Sequence, residues 1–488
     1  MLSRTWLASL RRSSSSILSR TRYLSRPSCR LLSTLPDLPL FRALQAHDAS
    51  RPAVVHSVSG RSFTYGNLLG DVLRSKEALS GVEGERVAFL AENGYDYVVT
   101  LLSILASNAV ALPLSPAFPV GELRYILENS GAKVLVATQT YGDKARDIVT
   151  AGLPRPPLLD VRDKIKTGAG AAEAIQWEQL AEGRSRGGMM LYTSGTTNRP
   201  KGVLIPHSAL TAQATSLIQA WEYSPADHLL HLLPLHHIHG TVNAILTPLL
   251  AGSSIEFLFP FNPTAVWNRL AAPFLPETET AAHHRRPVTF LTAVPTIYHR
   301  LMSSFAELPP ATQEAARTAI SPAHLRLNIS GSAALPAPTK DAWRRLSHGN
   351  VLLERYGMTE VGMAISCGLE IEKRIDGSGR ASVDLIKSGG YKISALEVER
   401  KMLGLEAVQE VAVVGLADEE WGQRVAAVVK QRPGTDLLDL QTLRAQLKEE
   451  MAPYKIPTVL KVVDAIERNA MGKVNKKTII KTYWPEKA

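Results

Sequence analysis

The feature that most constrains this chain is an alternation of short apolar runs with amphipathic ones between residues 64 and 137. Thr64 precedes Leu68, Leu69, Val72 and Leu73, which share one helical face, so it is predicted to cap a helix. Beyond it the pattern predicts a strand at 86–91, a helix at 95–107, a strand at 110–114, a helix at 121–129 and a strand at 133–137. Strands separated by helices of this length form βαβ units, because a parallel neighbour is reached only through a crossover. The predicted fold class is therefore α/β with parallel-type sheets, and the pattern resumes near 288–291 and 325–329.

A chain of 488 residues exceeds what one core organises. A separately patterned block near the C-terminus has a helix at 396–401, strands at 408–416 and 425–430, and a helix at 440–450. It predicts a smaller C-terminal α+β domain over 380–488, after a large N-terminal domain over 37–379. The polar segment 273–287, with His283, His284, Arg285 and Arg286, is expected to be a solvated surface insertion and not a metal site. Residues 97–114 carry no charge and approach membrane-spanning length. Thr100, Ser103, Ser107, Asn108 and Pro113 interrupt them, so a buried helix and strand are expected and no membrane span.

The formal charge of +10 invites a nucleic-acid reading, but seven arginines and no acid fall within residues 1–36. The remainder carries only +3, which argues against a nucleic-acid partner. An arginine-rich, serine-rich, acid-free start predicts an organellar transit peptide over 1–36 and a location in the mitochondrial matrix. The two cysteines, Cys29 and Cys367, exclude a disulfide within a chain cleaved after that leader.

The densest chemical signal runs from Tyr192 to Gly202. Thr193, Ser194, Gly195, Thr196 and Thr197 follow an apolar strand, and Lys201 follows Pro200. Backbone N–H groups curling there would grip anionic oxygens, with hydroxyls and an ammonium adding donors. Pro200 blocks the helix that a Walker A loop requires, so this is a different phosphate loop.

That string resembles the phosphate loop of adenylate-forming enzymes: acyl-CoA synthetases, luciferases and peptide-synthetase adenylation domains. Further segments resemble the family's motifs in the same order along almost the whole chain. Leu233 to Gly240 is similar to its histidine segment beside the acyl pocket, and Gly331, Ser332 and Ala333 to its adenine-side loop. Tyr356, Gly357, Met358, Thr359 and Glu360 resemble its nucleotide motif. Arg380 resembles its hinge region, and Gly389, Gly390, Tyr391 and Lys392 the loop that enters the site for thioester formation. Residues 468–473, ending in Lys473, resemble the segment that carries the catalytic lysine.

The resemblance implies two half-reactions with ATP, Mg2+ and CoA. A carboxylate attacks the α-phosphate and releases pyrophosphate; the CoA thiol then attacks the acyl-adenylate and expels AMP. Lys473 would bridge carboxylate and α-phosphate, Thr359 would donate to that phosphate, Glu360 would contact Mg2+, Tyr356 would lie against adenine, and His237 would shape the acyl pocket. Arg326 is expected to hold the distal carboxylate of a diacid, which points to the malonyl-CoA synthetase branch, with malonate or methylmalonate as substrate. Other short- or medium-chain acids are the alternative. An adenylation domain serving a carrier protein fits less well, because only 15 residues follow Lys473.

One departure stands out. Only 20 positions separate Glu360 from Arg380, where relatives place a β-rich subdomain on the order of 80 to 100 residues. The Thr-Gly-Asp motif whose aspartate holds the ribose hydroxyls is absent from Val361 to Gly379. That subdomain is therefore expected to be largely missing. Weak ATP binding and marginal stability follow, and a catalytically impaired variant that only binds nucleotide or a partner is the rival reading.

Overall fold

The computed structural model describes residues 33–150, 152–170, 175–180, 187–193, 199–333, 335, 337–369, 385–466 and 476–487. The proposed leader through residue 32, Ser194, Gly195, Thr196, Thr197, Arg380 and Lys473 lie outside the described residues.

The predicted alternation appears as a six-stranded sheet. Its parallel strands include Arg86–Leu90, Val110–Pro113 and Val134–Thr138. Side chains alternate across a strand, and here both faces are covered: Val87 and Phe89 enter one core, Ala88 and Leu90 another. That is why the strand reads as a continuous apolar run. Thr64 caps the helix Tyr65–Glu77 through the Asn67 amide, and the Asn67 side chain reciprocates. The helix Tyr95–Ala106 is buried at every position. It shares a core with strands of both large sheets, so the uncharged stretch is an internal layer. No described helix is long and apolar enough to cross a membrane.

The second large sheet has eight strands. Leu353–Met358, Leu327–Ser330, Phe290–Ala293, His228–His231, Ser254–Phe257 and Pro52–His56 run parallel. Antiparallel strands Gly362–Ser366 and Ser62–Thr64 close its edges. Its outer face is covered by the helices Pro263–Ala271, Pro295–Ser304, Pro310–Ala319 and Ala337–Leu346, with Trp267, Tyr298 and Trp343 fully buried beneath them. Burying side chains of this size stabilises by about 1.5–3 kcal/mol each.

The polar segment 273–287 is held more firmly than a solvated loop. Arg269, itself buried against Glu256, donates to the carbonyls of His284 and Arg286. The His283 and His284 rings both lie within hydrogen-bond reach of the Ser57 carbonyl. No metal-binding cluster of His, Cys, Asp and Glu exists among the described residues.

The C-terminal block is a five-stranded sheet around the antiparallel pair Val408–Asp418 and Gly422–Gln431. Val413, Ala427 and Val429 face the helices Ala395–Leu403 and Leu440–Lys448; Val414, Ala426 and Val428 face the side of Ile466 and Ile479. The hairpin Leu385–Ser388 and Tyr391–Ser394 belongs to this sheet.

Candidate active site

A parallel sheet directs the loops at the carboxyl ends of its strands to one rim, which is where open α/β sheets bind ligands. Both large sheets bring that rim to the same place. Thr193 ends the strand Gly188–Thr193, and Lys201 lies opposite it in antiparallel register. The antiparallel pairing of Thr193 with Lys201 brings both ends of the expected phosphate loop to this rim. From the eight-stranded sheet come His237 and His239 after the strand His228–His231, Val294 and Thr296 after Phe290–Ala293, and Ser332 after Leu327–Ser330. Gly357 and Met358 end the last strand of that series, and Thr359 follows it.

Two cavities meet there, and His237, His239, Ser332, Gly390 and Tyr391 line both. The first continues past Thr193, Pro200, Gly357, Met358, Thr359 and Lys392. The second has apolar walls of Leu232, Leu233, Phe259, Phe261, Val294 and Ile297, and it also takes in Arg300 and Trp421. A π-helical segment, His239–Leu246, opens where the two join, and such segments recur at functional sites.

The histidines are held neutral. Burial lowers His237 to about 4, with Lys455 adding to the effect. Burial drives His236 and His239 well below the ordinary range as well, helped by His237 for the first and Arg355 for the second.

The C-terminal domain reaches into this junction. Tyr391 stacks on Tyr454 at 3.8 Å and meets the His237 ring edge-on at 5.1 Å. Its approach depends on two glycines with left-handed backbone, Gly389 at φ +56° and Gly390 at φ +88°. A Cβ on Gly390 would stand 2.4 Å from Val294 Cγ1, so only hydrogen fits. Lys392 donates to the Gly357 carbonyl at 3.3 Å, and burial lowers its ammonium, with Lys387 adding to the effect and Glu360 opposing it. Lys455 is nearly inaccessible and bonds Glu122 of the N-terminal domain and Glu397 of its own domain, each at 2.8 Å. Burial disfavours its charge, but the two carboxylates outweigh that and raise it. Sequence reading missed Lys455, Glu122 and Arg300; partners 333 positions apart leave no local signal.

Several expected residues fall differently. Tyr356 and Glu360 are exposed and outside both cavity linings, although Glu360 is near enough to act on Lys392. Gly331 and Ala333 flank the lining residue Ser332. Arg326 requires correction as a substrate residue. It precedes the strand Leu327–Ser330, at the end away from the rim, on the order of 13 Å of chain from Ser330. Its Nε donates to buried Asp227 at 2.7 Å, and Nη2 to the same carboxylate. Nη1 and Nη2 also donate to the carbonyls of Trp221 and Glu222. Four of its five N–H donors are thus taken, and the side chain lines neither cavity.

The chain matches the AMP-binding enzyme family over residues 40–393 and the AMP-binding enzyme C-terminal domain over 397–473. A CoA ligase of Gibberella moniliformis is 43% identical in an alignment 569 positions long that takes in 91% of this chain and 94% of that protein. The mitochondrial malonate–CoA ligase of Homo sapiens is 34% identical, over 82% of this chain and 83% of that one. Among solved structures, a malonyl-CoA ligase in a product complex with methylmalonyl-CoA and AMP superposes with a TM-score of 0.69 at 27% identity, covering 88% of this chain and all of the other.

Proposed function

Because the chain belongs to the AMP-binding enzyme family and is an AMP-forming acid–thiol ligase, we propose that it activates malonate or methylmalonate and passes the acyl group to CoA. The observation that carries the substrate choice is Arg300, the guanidinium that lines the second cavity among its apolar walls. Its guanidinium lies over Phe261 and 3.6 Å from Glu420, a separation too long for a strong hydrogen bond. A short diacid would set one carboxylate at the junction beside His237 and Ser332 and the other on Arg300. The malonate–CoA ligases among its relatives support the same choice.

In this reading Thr193 to Thr197, with Lys201, grip the triphosphate. Thr359 donates to the α-phosphate, and Lys473 bridges it to the attacking carboxylate. Glu360 is the Mg2+ contact; a single carboxylate suits an ion that keeps phosphate oxygens and waters as its other ligands. Neutral His237 and the Gly389–Lys392 turn shape the junction through which the CoA thiol enters. The acid-free leader, together with the mitochondrial relatives, supports import into the mitochondrion.

Pyrophosphate release measured with malonate, methylmalonate, acetate and octanoate tests the substrate. Arg300→Ala is expected to cut kcat/KM for malonate by at least about tenfold, the value of one charge-assisted pair, and to leave monocarboxylates unchanged. Equal losses on both acid classes would remove Arg300 from recognition.

A second reading, a ligase with impaired nucleotide binding, is favoured by the missing ribose motif between Glu360 and Arg380.

A further inference from the structure

Arg355 is the one cation of this region whose position the ligase reading leaves unexplained. It is 4% exposed, and its Nε and Nη1 have no hydrogen-bond partner among the described residues. Trp221 lies beneath the guanidinium, and Tyr223 and Tyr298 interact with it electrostatically. A buried, unpaired guanidinium is costly, so its retention calls for a task.

Among the described residues its one side-chain hydrogen bond begins a chain. Arg355 Nη2 lies 3.1 Å from Thr292 Oγ1, which lies 2.7 Å from His239 Nε2. His239 Nδ1 lies 2.9 Å from Ser332 Oγ. One set of directions gives every side-chain proton along these links an acceptor. A guanidinium can only donate, so Thr292 accepts from Arg355. Among the described residues the Thr292 hydroxyl proton meets one acceptor, the His239 Nε2 lone pair. A neutral imidazole that accepts at Nε2 carries its proton on Nδ1 and donates it to Ser332. The Ser332 oxygen then accepts from His239, and its own proton is left free for another acceptor.

We propose that Arg355, Thr292 and His239 form a one-way hydrogen-bond chain that makes the Ser332 hydroxyl an obligatory donor to an oxygen of the bound carboxylic acid. Ser332 lines both cavities where they join, which is where a reacting carboxylate would stand. Its backbone is held at φ +68°, a region a serine rarely adopts and one that marks functional strain. Arg355 and Thr292 are positioning residues: neither lines a cavity, and both act through His239. The inference deepens the ligase reading and rests on it for the identity of the acceptor.

Two measurements on the full chain separate the two. Imidazole 15N spectra of histidine-labelled protein without substrate, assigned by the signal lost in His239→Gln, are expected to show His239 protonated at Nδ1 from pH 6 to 8. Thr292→Val should release it to a mixture of tautomers while the melting curve remains cooperative. An Nε2-protonated His239 in the unmodified protein would overturn the chain, whether or not the protein turns over. In carboxylate-dependent ATP–pyrophosphate exchange, Ser332→Ala and Thr292→Val are each expected to raise KM for the acid about tenfold with KM for ATP unchanged. The double variant should lose about tenfold and not about a hundredfold, because both changes delete the same donor. Multiplying losses would sink the proposal. Absence of exchange in the unmodified protein would instead count against the ligase reading, with the tautomer still deciding the chain.

Discussion

Arg326 and Arg300 carry the same chemical group to opposite ends of the eight-stranded sheet. Arg326 precedes a strand and is spent on Asp227, while Arg300 follows one, on the helix Pro295–Ser304, and lines the apolar cavity. In the sequence the two are indistinguishable, because the acceptor that claims Arg326 lies 99 positions away. Arg326→Ala is accordingly a stability variant. Asp227 keeps its bonds from Ser224 and Thr289, so the loss is expected to be about 2 kcal/mol by denaturant unfolding, with KM for malonate unchanged. A tenfold rise in that KM at constant stability would return Arg326 to the site. Thr64, by contrast, was legible because its partner Asn67 is three residues away, within the same motif.

Elements were readable wherever local patterning and burial agree. The strands and helices between 64 and 138 fall within a residue or two of their sequence limits, since strands buried on both faces and helices with one apolar stripe leave little alternative. The segment 273–287 was less readable because its anchors, Arg269 and Ser57, belong to other elements. The Ser388–Tyr391 turn joins its strands through two left-handed residues, the geometry of a two-residue hairpin loop. Gly390→Ala is expected to expel that turn from Val294. Thioester formation should then slow by more than about tenfold while ATP–pyrophosphate exchange changes less than about threefold. Rapid-quench measurement of the two half-reactions checks this, and an equal fall in both would contradict it.

For the whole molecule, buried histidines set the acid limit. Burial holds His207 and His231 down to about 4, against 6.5 in the unfolded chain. Below pH 6.5 the unfolded state takes up protons that the folded state refuses, so stability is complete above that value and declines as pH falls toward 4. Each group is expected to cost about 2 kcal/mol by pH 5. A melting temperature that stays constant from pH 7 to 5 would refute this. The missing ribose motif makes a second expectation at this scale: saturating ATP should raise the melting temperature by less than about 2 °C, and normal stabilisation in a thermal-shift titration would refute it.

Lys455 ties the two domains by an ammonium that belongs to neither alone. Any swing of the C-terminal unit must strip Glu122 from it in one move, leaving charges that water has to reclaim before the motion can proceed. Such a contact works as a detent: it holds one orientation firmly, yields abruptly, and makes intermediate angles poorly occupied.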